Sequence, residues 1–232
     1  DIAYHYTKRK RGYGLLINIL GSDHHGYITR VQASLQAMGY RKGSLEVELV
    51  QFVSLFRDGE KQSMSTRSGD FISLRKLRQE VGNDAARFFY ILHSNEQHLD
   101  FDLELAKKRS NENPVYYIQY AHARICTVIN KADIKINNPD LKLLNQDDDI
   151  KLIYKLLDFE NIVHKLKGTL EPQMLANYLY DLAALFHKYY AHNRIITENM
   201  ELSKARVVLI KATKIVIKNG LNILGISAPE SM

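Results

Sequence analysis

Between Arg57 and Gly69 the chain sets glycines, hydroxyls and cations side by side: Arg57-Asp58-Gly59-Glu60-Lys61-Gln62-Ser63-Met64-Ser65-Thr66-Arg67-Ser68-Gly69. Backbone N–H groups, hydroxyls and cationic side chains all favour a polyanion, so this stretch suits phosphate groups. The plainer alternative is a solvated surface loop. A second candidate is Gly21-Ser22-Asp23-His24-His25-Gly26-Tyr27-Ile28. Asp23 can accept from ribose hydroxyls or pair with a cationic substrate, and Gly21 and Gly26 permit close backbone approach. His24 and His25 raise metal ligation. Adjacent histidines on a helix point to different sides, however, and no further His or Cys has ligand spacing nearby, so no protein-bound metal is expected. A nucleophile-and-base reading finds no Gly-x-Ser-x-Gly elbow. The single Cys126 lies among Ala123, Ile125 and Val128, which predicts a buried, inert thiol.

The elements that must position these groups follow from pattern. Leu15 to Leu20 is a short apolar run ended by Gly21 and reads as a buried parallel strand. Ile28, Val31, Leu35 and Met38 then recur at helical spacing over 26–39, with Gly39 as a stop. Residues 45–56 read as the next strand, and 71–81 as a helix with Leu74 and Leu77 on one face. This alternation is that of an α/β sheet, in which ligands bind beyond the carboxyl ends of the strands. Both polar loops are placed there. Past Asp102 the strand signals fade. Helical periods run over 116–130, 150–166, 173–190 and 202–218, each with one apolar stripe, and predict a helical bundle. The boundary falls between Leu105 and Pro114. Asp147-Asp148-Asp149 is expected to cap the helix beginning near Ile150.

At 232 residues the chain can bury a sizeable core, and 45% hydrophobic with 25% charged residues is ordinary for a globular protein. One cysteine excludes an intramolecular disulfide framework and fits a reducing compartment. No apolar run is long enough to span a membrane as a helix. The N-terminus is not a signal peptide and lacks an initiator Met, which points to a piece of a longer protein. A net charge of +6 favours a polyanionic partner. It concentrates in Lys8-Arg9-Lys10-Arg11 and in Lys204, Arg206, Lys211, Lys214 and Lys218, each expected to be a solvated helix face.

The wording of the motifs goes further. Asp1-Ile2-Ala3-Tyr4-His5-Tyr6, the Gly21–Tyr27 loop, Met64-Ser65-Thr66-Arg67-Ser68-Gly69 and Glu80-Val81-Gly82-Asn83-Asp84-Ala85-Ala86-Arg87-Phe88 come in that order. Ser94–Asp102, Asn113-Pro114-Val115-Tyr116-Tyr117-Ile118-Gln119-Tyr120-Ala121-His122-Ala123-Arg124, Phe186–Tyr190 and the terminal Gly225–Met232 continue the series. Together they resemble bacterial arginyl-tRNA synthetase, a class I aminoacyl-tRNA synthetase, over essentially the whole chain.

The resemblance implies α/β followed by all-α structure. Residues 1–106 would be the C-terminal half of a Rossmann catalytic domain, and 107–232 a helical anticodon-binding domain. The implied reaction activates arginine with ATP, which brings Mg2+ with it, and esterifies the arginine to tRNA. Ser63-Met64-Ser65-Thr66-Arg67 occupies the register of the family's KMSKS signature, with Ser63 and Thr66 where lysines are usual. Lys61, Ser65 and Arg67 are thereby assigned catalytic roles, Lys61 or Arg67 supplying the missing positive charge. Gly21, Asp23, His24, Val50, Gln51, Ser63, Met64 and Thr66 would surround ATP. Asp1, with Asp23, would hold the arginine guanidinium through paired N–H···O bonds. Tyr117, Gln119, Tyr120, His122, Arg124, His187, Tyr190, Arg194 and Met232 match tRNA-binding positions, where aromatics stack on unpaired bases. About half of the tyrosines at helical spacing are expected in the core instead. The family's first signature, with its paired histidines, is not found, so the chain is expected to be inactive alone but to bind tRNA. The implied protein is a cytoplasmic monomer. A stand-alone, non-catalytic tRNA-binding module stays open beside it, and a nucleotide-binding metal hydrolase rests only on His24 and His25.

Overall fold

The computed structural model describes residues 1–62, 72–132 and 134–232. They form two compact units. The first is Asp1–Ser54 with His93–Phe101, and the second is Leu55–Leu92 with Asp102–Met232.

In the first unit, α1 (Ile2–Lys10) precedes β1 (Leu16–Gly21), α2 (Tyr27–Ala37) and β2 (Leu45–Val50). β1 and β2 pair in parallel, Leu16 opposite Leu45 through to Gly21 opposite Val50. Leu16, Val31, Leu35 and Leu45 make the core between this pair and α2, with Met38, Tyr40 and Val47 packed on it. The parallel pairing agrees with the sequence reading, but burial does not. Ile17 and Ile19 are exposed, Ile19 at 72%. A continuous apolar run cannot tell one covered face from two, because its odd and even positions carry the same residue type. The predicted strand 45–56 is two strands, β2 and β3 (Val53–Arg57). The break has a non-local cause. Gln51 N–H donates to Asn95 O at 2.9 Å, and Phe52 O accepts from Leu99 at 3.3 Å, beside β5 (Leu99–Asp102).

In the second unit, β3 ends in a hairpin with β4 (Glu60–Lys61), Phe56 opposite Lys61 and Arg57 opposite Glu60. Asp58 and Gly59 both take positive φ, 51° and 79°, as a tight two-residue hairpin turn demands. The polar stretch therefore begins as a hairpin. Arg57 is paired within the unit, its guanidinium donating to Glu80 Oε2 at 2.8 Å. Then come α3 (Leu74–Val81), α4 (Asn83–Ile91) and α5 (Leu103–Lys107). Ser73 caps α3 by accepting from Lys76 N–H. Leu77 is buried, but Leu74 is 60% exposed, so the two do not share a covered face.

The helical bundle is α6 (Pro114–Ala132), α7 (Asp147–Thr169), α8 (Gln173–His192) and α9 (Met200–Ile223). All four periods read from the sequence become helices. Asn113 starts α6: its Oδ1 accepts from Val115 and Tyr116 N–H, and its Nδ2 donates to Ala106 O and Lys108 O. α7 starts three residues earlier than expected. Gln146 is its N-cap and the acidic triplet fills its first turn, with Asp149 closing a capping box. Asp149 is buried and also accepts from the Tyr189 hydroxyl at 2.8 Å, while Cys126 is buried as predicted.

Candidate functional site

In the first unit the parallel register sets Gly21 opposite Val50, so the ends of β1 and β2 lie side by side. Gly21, Asp23 and His24 thus share one edge of the pair with Val50 and Gln51. A Cβ on Gly21 would stand 2.6 Å from Asp23 Oδ1, so a larger residue there would have to displace the Asp23 carboxylate. Nothing crowds Gly26 within 4 Å. Asp23 Oδ2 lies 3.7 Å from His24 Nε2, both half-exposed.

Beside this edge lies a cavity of about 490 Å³, whose lining includes Asp1, Tyr4, His5, Lys8, Asn18 and His24. Asp1 and His24 are thus brought to one place, whereas Asp23 is not part of the lining. Sequence reasoning missed Tyr4, His5, Lys8 and Asn18. The signal was available: Asp1, His5 and Lys8 recur at helical spacing and share one face of α1. His5 is buried and fixes that face. Its Nδ1–H donates to Asp1 O at 2.8 Å, and its Nε2 accepts from Asn18 Nδ2 at 2.8 Å. Burial holds His5 below its ordinary value, and the Lys8 charge lowers it further.

The basic run at the end of α1 is not simply solvated. Arg9 donates to Tyr13 O, Gly14 O and Ser44 O, closing the helix onto the turn that follows. Lys8 and Lys10 lie over the rings of Tyr4 and Tyr6. In the second unit Lys61 is exposed on β4. Ser63, Met64, Ser65, Thr66 and Arg67 lie outside the described residues. Among the described residues, no three His, Cys, Asp or Glu side chains converge as a metal site.

The second unit gathers most of the expected tRNA-binding residues on one face of α6 and α8. Tyr116 and Tyr120 stack with centroids 6.1 Å apart and planes 12° from parallel. Tyr120 and His187 continue the stack at 5.8 Å and 26°. Tyr117 meets His187 at 4.6 Å and Tyr180 at 5.4 Å. The Arg124 guanidinium lies over Tyr120 at 4.5 Å and over Tyr190 at 5.2 Å, and donates to the Tyr120 hydroxyl at 2.6 Å. Burial holds His187 below its ordinary value, and the Arg124 charge also lowers it, against the raising effect of the Tyr117 carbonyl. His187 is therefore a neutral ring near pH 7, suited to stacking rather than to phosphate. Tyr116 and Tyr180 belong to this face and were absent from the expected set.

Three expected residues behave differently. Gln119 and His122 are buried, bonded to the C-terminal segment rather than to solvent. Arg194 is exposed on the loop after α8, apart from the stack in sequence, and its carbonyl accepts from Arg206 at 2.7 Å. Arg206 corrects the expectation of a solvated basic face on α9. It is buried and also donates to Gln146 Oε1 and Asn193 Oδ1. Its neighbours in that run, Lys204 and Lys214, are paired with Glu201 and Glu230.

Comparison with known proteins gives a consistent answer. Residues 118–232 match the DALR anticodon binding domain. The whole chain is 50% identical to the arginine–tRNA ligase of Acinetobacter baylyi and 52% identical to that of Vesicomyosocius okutanii. It covers 40% and 41% of those proteins, so the chain spans about two-fifths of the length of the curated relatives it matches. A solved structure described as an arginyl-tRNA synthetase of Campylobacter jejuni superposes with a TM-score of 0.90 at 38% identity, over 100% of this chain and 51% of that one. Thermus thermophilus arginyl-tRNA synthetase shares the fold, with a TM-score of 0.76 at 24% identity over 94% of this chain and 41% of that one. The α/β-then-all-α architecture is thus that of these enzymes. The chain belongs to the arginine–tRNA ligase family, of which it carries the C-terminal portion with its anticodon-binding domain.

Proposed function

We propose that this chain supplies part of the aminoacylation site and the anticodon-binding surface of an enzyme that attaches arginine to its tRNA at the expense of ATP. The observation that carries the reading is the ring ladder Tyr116–Tyr120–His187 under Arg124. Unpaired bases are recognised by stacking on aromatic and guanidinium planes, and a neutral imidazole extends such a surface without a competing charge. Tyr117, Tyr120, Arg124, His187 and Tyr190 are the residues we assign to direct contact, with Arg194 and Met232 at the margins. Residues 107–232 then form the anticodon-binding domain.

For residues 1–106 we propose the C-terminal part of the catalytic domain. In the cavity beside β1, the Asp1 carboxylate accepts two parallel N–H bonds from the substrate guanidinium, while Asp23, outside the lining, faces ATP at the strand edge. Gly21, His24, Val50 and Gln51 border ATP at the carboxyl ends of β1 and β2, as open parallel sheets bind nucleotides. Ser63, Met64 and Thr66 complete the ATP contacts, and Lys61, Ser65 and Arg67 act on the transferred phosphates. ATP brings Mg2+ with it, neutralising phosphate charge during transfer. Among the described residues no helix is long and apolar enough to cross a membrane. We place the protein in the cytoplasm as a monomer.

Titration of the 232-residue chain with tRNA at two salt concentrations tests the reading. Binding that weakens steeply with salt supports it, and absence of salt-sensitive binding overturns it.

A further inference from the structure

Gln119 and His122 sit on the same helix as the stacking tyrosines, and the family wording marks both for tRNA. Both are buried, at 8% and 0% exposure. What they touch instead is the segment after α9. His122 Nδ1–H donates to Pro229 O at 2.8 Å. A carbonyl only accepts, so this bond fixes the tautomer, and His122 Nε2 is left buried without a partner. Gln119 Nε2 donates to Ser227 O at 3.0 Å and to Asp84 Oδ2 at 2.8 Å. Asp84 in turn accepts from Ser227 N–H at 3.3 Å and from the Ser227 hydroxyl.

The grip extends along the segment in both directions. Arg87 Nε donates to Leu224 O, Lys214 pairs with Glu230, and Leu224 and Ile226 are buried. Gly225 has φ +69°, and a Cβ there would stand 2.8 Å from Arg87 Nε, so both the backbone and the Arg87 side chain favour glycine at this turn. The segment ends with Met232 exposed, lining a cavity of about 520 Å³ together with Tyr116, Asn113 and Arg109. Tyr116 is also the first ring of the stack.

We propose that Gln119 and His122 act on tRNA through the C-terminal segment: they are positioning residues that clamp residues 224–230 and thereby present Met232 beside Tyr116. The inference rests on the tRNA-binding reading above. It replaces two direct contacts with one mechanical device, because side chains buried against the segment cannot reach a base.

The test uses the 232-residue chain, its His122→Ala, His122→Asn and Gln119→Ala variants, and a chain ending at Ile226. Amide exchange of residues 224–232 reads the clamp, and tRNA titration reads its consequence. His122→Ala speeds exchange of the segment and weakens tRNA binding about fivefold, the worth of one buried hydrogen bond. His122→Asn, whose Nδ2 can donate where the ring Nδ1 did, keeps both near wild type. Gln119→Ala behaves as His122→Ala does, and neither changes the salt slope, since no phosphate contact is lost. In the truncated chain, adding His122→Ala changes affinity by less than about twofold, as two changes on one device do. If His122→Ala weakens binding equally with and without the segment, His122 touches tRNA directly and the proposal is overturned. A segment freed in exchange with binding unchanged overturns it too. If wild type binds no tRNA, the tRNA-binding reading itself falls, while the exchange data still decide whether the clamp exists.

Discussion

Tyr120 is the residue on which the proposed binding surface turns. Its ring lies between those of Tyr116 and His187 and under Arg124, and its hydroxyl accepts from Arg124 Nη2 at 2.6 Å. Two substitutions separate these roles. Tyr120→Phe keeps the ring and removes only the hydroxyl. Arg124 then loses one hydrogen bond on a half-exposed face, worth about 0.5–1 kcal/mol, so affinity for tRNA falls about two- to fivefold. Tyr120→Ala removes the ring itself. Base–aromatic stacking contributes about 1–3 kcal/mol per base, so affinity falls about five- to 150-fold. The salt slope separates stacking from charge. Neither Tyr120 variant removes a cation, so both keep the wild-type slope, whereas Arg124→Ala lowers it by about one unit. The assay is a tRNA titration at several salt concentrations, with circular dichroism to show that each variant is folded. A folded Tyr120→Ala chain that binds within about twofold of wild type would refute the stacking argument.

Further outcomes follow from the packing. Arg206→Ala leaves the acceptors of Arg194, Gln146 and Asn193 without their buried donor, and lowers stability by about 3 kcal/mol in denaturant unfolding. Arg206→Lys recovers only part of it, because an ammonium cannot reproduce the fork. Gly225→Ala forces a Cβ both into positive φ and against Arg87, and costs about 1–3 kcal/mol, with faster amide exchange confined to the C-terminal segment. Burial holds His5, His122 and His187 below the ordinary 6.5. The folded chain therefore binds fewer protons than the unfolded chain at mildly acid pH. The stability these histidines contribute is complete above about pH 6.5 and is lost as pH falls through their depressed values. Thermal unfolding at stepped pH reads this, and a melting temperature that rises as pH falls from 6.5 would contradict it.

How much of this was legible in the sequence depends on whether the cause was local. The four bundle helices were, because their apolar stripes repeat with the helical period. β1 and the turn after it were, because Gly21 ends an apolar run. α4 was missed although Ala85, Ala86, Phe88 and Phe89 share one face of Asn83–Ile91: the element is only nine residues long and follows α3 directly across Gly82. The break between β2 and β3 comes from bonds to Asn95 and Leu99, more than forty residues away, which no local pattern announces. The burial of Gln119, His122 and Arg206 was hidden for a similar reason. Residue type marks them as polar, and only the fold shows that their partners are backbone carbonyls of a distant segment or loop. The cavity beside β1 was partly legible, since Asp1 was named while His5 and Lys8 on the same helix face were not.

The α6–α8 face is proposed to bind tRNA at its anticodon. The most direct measurement compares affinities of the 232-residue chain for a tRNA carrying an arginine anticodon and for the same tRNA with that anticodon replaced. Salt-sensitive binding is expected in both cases, with the replaced anticodon weaker by about tenfold or more, as loss of a stacked and recognised base requires. Equal affinity for the two, or no binding at low salt, would contradict it.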